Sequence, residues 1–134
     1  MPSNFTGIWT LIPSESDFGF LPPPSLRVDT ISHEEPQLQI RTRQKDANGD
    51  ITLDRNVVIG GDPATVLIRG RARQIRVFWQ ESVLVVETKS EVGGNARCIE
   101  DRWTIDVETG WLTIERRFEQ SGGAVHQRLR LRRS

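Results

Sequence analysis

Most of this chain alternates apolar and polar side chains with a period of two, and it divides into ten strand-like runs. They are Phe5–Ile12, Leu26–Glu34, Leu38–Gln44, Ile51–Ile59, Thr65–Ile68, Arg73–Gln80, Ser82–Ser90, Arg97–Asp106, Trp111–Gln120 and Ala124–Arg133. No ten-residue stretch carries a helical period. Turn residues punctuate the runs, with Asn48–Gly49 the strongest short hairpin signal. Prolines stay in connections or at run edges, where a sheet tolerates them. Strands joined this tightly pair as antiparallel neighbours. With no helix to cover a face, the sheet must bury one face against itself. A closed barrel does that and removes the free edges. A sandwich is the competing solution and usually needs a longer crossing. The expected fold is all-β, an up-and-down antiparallel barrel of about ten strands. At most one short helical turn is expected near residues 14–18, with Ser14 as its cap.

The 134 residues suit a single domain spanning 1–134. Formal net charge is zero, so no global field calls for nucleic acid. The basic tail "RLRLRRS" alternates as a strand and lacks interleaved aromatics. No apolar run approaches the roughly 20 residues of a membrane helix. "MPSNF" has no signal-peptide regions, so cytoplasm is the expected compartment. Cys98 is the only cysteine and His33 and His126 the only histidines, a poor donor set for structural zinc. No thiol–histidine or serine–histidine spacing suggests an activated nucleophile. His33, beside Glu34, Glu35 and Pro36, is expected to be a turn residue.

"FTGIWTL", with Gly7 and Trp9 on the first strand, resembles the Gly-x-Trp opening of the calycin superfamily, which includes lipocalins and fatty-acid-binding proteins. "GIWTLIPSESDFGF" is most similar to the start of bacterial lipocalin-like domains. The resemblance implies that Trp9 plugs the closed end of a barrel and that an arginine from the last strand lies across it. Arg128, Arg130 or Arg132 would supply that cover. Fatty-acid-binding relatives insert two helices after the first strand as a portal; "PSESDFGFLPPPS" is too short for them. They also hold the ligand carboxylate with an Arg-x-Tyr on the last strand, and this chain has no tyrosine. Nitrobindin-type barrels hold haem through a histidine near the C-terminus. His126 lies on the solvated parity and that family's glycine-rich opening is missing, so no cofactor is expected.

Polar residues that share parity with an apolar face are the informative ones in a barrel. Arg55 shares it with Leu53 and Val57, Asp101 with Ile99 and Trp103, Arg116 with Ile114 and Phe118, and Gln127 with Val125 and Leu129. Together with Trp79 and Trp103 they are the expected lumen residues. An inward arginine needs an internal carboxylate or a ligand anion. The expected function is binding of a small hydrophobic molecule in the lumen, with an inward arginine or glutamine orienting its polar or anionic end. Two alternatives stand beside it: a filled barrel serving as a structural or interaction module, and an enzyme using the lumen. "RQIRVFWQ" and "SVLVVETKS" are apolar on both faces. Phe78 is therefore an expected homodimer contact, unless Phe18, Phe20 and Leu21 cover that face.

Overall fold

The computed structural model describes residues 3–92, 95–120 and 123–134. Its strands are β1 (Gly7–Leu11), β2 (Leu26–Glu34), β3 (Gln37–Asp46), β4 (Gly49–Val58), β5 (Ala64–Ile68), β6 (Arg71–Gln80), β7 (Val83–Val92), β8 (Asn95–Ile105), β9 (Leu112–Gln120) and β10 (Gly123–Arg133). Among the described residues these ten form one antiparallel sheet in the order β4-β3-β2-β1-β10-β9-β8-β7-β6-β5. The sheet curls into a barrel, with β1 pairing both β2 and β10. The circle stays open between β4 and β5, which share no ladder among the described residues. The only helical element among the described residues is one 3₁₀ turn, Pro13–Glu15. Ser14 makes no capping hydrogen bond there; the N-cap position is Ile12. At the Asn48–Gly49 signal the loop itself is Ala47–Asn48, with Asp46 opposite Gly49 and the Asp46 carboxylate accepting from the Asn48 amide.

Side chains alternate inward and outward as the period requires, and the inward set divides along the barrel axis. One half is packed solid. Phe5, Trp9, Trp103, Leu38, Ile75 and Leu112 are all at most 1 % exposed there. Phe5 sits at its centre, with ring centroids 5.4 Å from Trp103, 5.8 Å from His33 and 6.2 Å from Trp79. The Trp9 indole N–H donates to the Phe5 carbonyl at 2.8 Å. Each buried tryptophan removes on the order of 200 Å² from water, about 5 kcal/mol of gross stabilisation.

His33 is not a turn residue. It is the last inward residue of β2 and is 4 % exposed. Its Nδ1 accepts the Phe5 amide at 3.2 Å, and its Nε2 lies 3.0 Å from the Glu35 carboxylate. Since Nδ1 accepts, Nε2 carries the proton and donates it to Glu35. Trp79 also donates to Glu35, at 3.0 Å.

The cover over Trp9 comes from Arg133, whose guanidinium lies 4.4 Å from the ring centroid. Arg128, Arg130 and Arg132, the expected covers, point outward. Parity explains the difference: Arg133 is in step with the inward Leu129 and Leu131, and it is the cross-strand partner of Trp9. Arg130 instead pairs with Asp106 at 3.0 Å, and Arg130 and Arg132 both lie over Trp111. Gly7 makes room for the Arg133 stem. A Cβ there would lie 3.1 Å from Arg133 Nε, and the backbone has φ +150°.

Candidate functional site

Above the solid half, a layer of charge crosses the barrel. Four strands supply it, each by breaking its apolar inward face once or twice. β2 contributes Arg27 and Asp29, β4 Arg55, β8 Asp101 and β9 Arg116. Asp101 and Arg116 are cross-strand partners, and their side chains form a bidentate pair at 2.8 and 3.0 Å. Arg27 and Asp29, two residues apart on one face, pair at 3.1 Å. Burial alone would raise the Asp101 carboxyl. The charge and hydrogen bonds of Arg116, with help from Arg27 and Arg55, outweigh it and hold the group below the usual carboxylate range.

Arg55 differs from its neighbours. It is 6 % exposed, yet among the described residues no carboxylate lies within ion-pair distance. Its Nη2 donates to the Thr42 hydroxyl at 3.0 Å, and its Nε has no partner among the described residues. Burial pushes its pKa down to about 10, only partly offset by the field of Asp29. At neutral pH it remains a cation. The layer therefore sets three guanidiniums against two carboxylates, an excess of one positive charge.

Two connected chambers lie above this layer. The inner one, about 200 Å³, is lined by Arg55, Arg116 and Asp101 together with Ile51, Leu53 and Ile68. The outer one, about 300 Å³, shares Arg27, Gln44, Ile99 and Arg116 with the inner one and continues between Phe18, Leu21 and Phe118. Its roof is the segment between β1 and β2. Asp17 and Arg128 exchange backbone hydrogen bonds, both 2.8 Å. The Ser16 hydroxyl accepts the Arg130 amide at 3.0 Å, and the Gln127 amide donates to the Phe18 carbonyl at 3.1 Å. Phe18 packs on the core while Phe20 is exposed. The segment thus crosses the barrel mouth and leaves the outer face of β6 uncovered. On that face Phe78 is half-buried beneath Arg76, whose guanidinium is 4.7 Å from its ring.

The structure brings Arg55, Asp101 and Arg116 together and puts Gln127 at the roof. Trp79 and Trp103 do not join them. Trp103 is sealed into the solid half, and Trp79 sits beside Phe5 with its N–H on Glu35. Both are on the inward parity, but parity does not tell how far down the barrel a residue lies. Arg27, Asp29 and Thr42 were missed. The signal was present in β2, where Arg27, Asp29, Ile31 and His33 share one parity. Leu26 and Val28 on the other parity hid it.

No family model matches the sequence, and no curated protein resembles it in sequence. Solved structures do resemble it in shape. A zebrafish ileal bile-acid-binding protein complexed with cholic acid superposes with a TM-score of 0.70 at 12 % identity, covering 98 % of this chain and all of the other. Human cRBP IV superposes with a TM-score of 0.66 at 16 % identity, covering 99 % of this chain and all of the other. The chain shares the fold of these two proteins. At such identities the likeness shows the fold alone. Among the described residues no helix is long and apolar enough to cross a membrane.

Proposed function

We propose that this barrel binds a small hydrophobic molecule in its half-open lumen and holds an acidic end of that molecule with Arg55. The observation that carries the reading is the buried Arg55 guanidinium, which has no carboxylate partner among the described residues. It borders a chamber whose other walls include Ile51, Leu53 and Ile68. Burying an unpaired cation is costly, and a ligand anion removes that cost by supplying the missing charge. Apolar walls with a few placed polar groups are the usual build of a small-molecule site. The zebrafish protein of similar fold carries cholic acid, which supports use of the lumen as a container. The mechanism is sequestration: the walls take up the apolar body, and Arg55, beside Arg27 and Arg116, orients the acid.

Native mass spectrometry of protein purified from cells tests this reading. A co-purified acid is expected on the wild type and is lost in Arg55→Met. Calorimetry with octanoate on the same two proteins gives the matching affinity. Equal binding by both would overturn the role of Arg55.

A further inference from the structure

The closed end of the barrel carries a titratable group that the lumen does not use. His33 is buried there and anchors the N-terminal segment. Its Nδ1 accepts the Phe5 amide at 3.2 Å. Beside that bond the His33 amide donates to the Thr6 hydroxyl at 2.9 Å, and the His33 carbonyl accepts the Asn4 side-chain amide at 3.3 Å. The Phe5 and His33 rings stack at 5.8 Å, and the Trp79 ring lies 6.1 Å from His33. Residues 3–6 precede β1 and belong to no strand. These contacts hold them, together with the Trp9 indole on the Phe5 carbonyl and Arg133 on the Asn4 carbonyl.

Nδ1 accepts that amide only while it carries no proton. Nε2 already donates to Glu35, so a second proton has no other place on the ring. At Nδ1 it sets N–H against N–H in a buried site, and both donors lose their partner. The charged ring gains attraction to Glu35, but that carboxylate is half exposed and water screens it. Glu35 is the one ionisable side chain in ion-pair contact with the ring among the described residues. Facing the ring, the N-terminal segment brings Asn4 and Thr6, β3 brings Leu38 and β6 brings Trp79, none of which titrates. Arg133 reaches the segment from β10, and the paired Arg27 and Asp29 lie further along β2. Burial alone would raise the Glu35 carboxyl. The N–H bonds from His33 and Trp79 outweigh it and hold the group below the usual range, so it stays charged above about pH 5. Histidine is the side chain that changes charge between pH 5 and 8. We infer that His33 is an acid-sensitive clamp: uptake of a second proton releases the N-terminal segment, with Phe5, from the closed end of the barrel. Release withdraws Phe5 from Trp103 and Trp79, 5.4 and 6.2 Å away, and unplugs the solid half.

Amide exchange followed by NMR on the full chain tests it, with each rate corrected for the intrinsic effect of pH. Wild type, His33→Gln and His126→Gln are compared from pH 7 to pH 5. Glutamine offers an acceptor and a donor and does not titrate. His126 is exposed and serves as the control. A clamp closed to the second proton weakens tenfold for each pH unit below about 6.5, where a free imidazole charges. Protection of the Phe5 amide should therefore fall at least tenfold between pH 7 and pH 5 in wild type and in His126→Gln. It should stay level in His33→Gln, while the buried Trp103 and Ile114 keep their protection throughout. Ring-nitrogen shifts of the wild type give a second readout that needs no variant: Nδ1 gains its proton over the same range. Phe5 protection that holds to pH 5, an equal fall in His33→Gln, or a fall shared by Trp103 and Ile114 overturns the clamp. So does an Nδ1 that takes up its proton while Phe5 stays protected.

Discussion

Arg133 and Trp9 are cross-strand partners, and the guanidinium of one lies 4.4 Å above the ring of the other. The contact ties the last strand to the first at the end of the barrel where the core is solid. It works through charge on the indole face and through the aliphatic stem that covers the ring. Arg133→Ala should lower the unfolding free energy by about 1–2 kcal/mol, read from urea denaturation at unchanged m-value. Arg128→Ala, on the exposed face of the same strand, should change it by less than about 0.5 kcal/mol. Equal effects would remove the special standing of Arg133. Gly7→Ala approaches the same contact from the other side, pressing on the Arg133 stem, and should destabilise as well.

The Asp101–Arg116 pair predicts an acid limb. Asp101→Asn leaves the half-buried Arg116 guanidinium without its carboxylate and should cost about 2 kcal/mol near neutral pH. Asp54→Asn, which breaks the exposed bidentate pair with Arg41, should produce no measurable change. In the folded protein burial raises the Asp101 carboxyl, but Arg116 brings it below its unfolded value. A depressed carboxyl contributes stability that is complete above its unfolded pKa, about 4, and is lost as pH falls through its folded pKa. The gap between wild type and Asp101→Asn should be widest above about pH 5 and narrow as pH falls below about 4. Denaturant midpoints across that range check it; a gap constant with pH would contradict the assignment.

Strands and their order were legible because a period of two survives along most runs and because short connections allow only neighbouring pairs. Arg55, Asp101, Arg116 and Gln127 were legible for the same reason, each being a polar residue between apolar neighbours on its own parity. Arg27 and Asp29 were not. Their strand carries apolar Leu26 and Val28 on the opposite parity, so alternation there does not single out the charged face as the inward one. Arg133 shares the parity of the inward Leu129 and Leu131 and was legible on that ground, whereas Arg128, Arg130 and Arg132, the expected covers, lie on the other parity. Depth along the axis, which separates Trp103 from Asp101, depends on strand tilt and on the fill of the far end. Neither is written in the spacing of one strand.

His33 supplies a test of the closed end. Its Nδ1 is the acceptor for the buried Phe5 amide, and its Nε2 holds Glu35, which also receives the Trp79 indole. His33→Leu keeps the apolar volume and removes the acceptor. An amide buried without a partner costs about 2 kcal/mol, so the variant should lose about that much stability. It should also exchange the Phe5 amide hydrogen faster while the amides of β8 and β9 are unchanged. Protection of the Phe5 amide equal to wild type would show that this hydrogen bond does not hold the N-terminal segment.

Arg55 brings stability and function into opposition. Burial lowers its pKa from the ordinary guanidinium value to about 10, so the folded chain holds that proton less tightly than the unfolded chain. Between those values the unfolded state binds more protons, and stability contributed by this group rises with pH. Below both values the buried cation is a net cost. Arg55→Met replaces it with an apolar chain of similar length and should raise the unfolding free energy by about 1–3 kcal/mol at neutral pH. The same substitution should abolish the advantage of carboxylates over neutral alcohols of equal chain length. A functional site that is strained in the absence of ligand predicts both changes together, since the anion is what compensates the charge. Denaturation of the free variant and calorimetry with octanoate and octanol separate them. A variant that is less stable than wild type and still prefers octanoate would make Arg55 a structural residue.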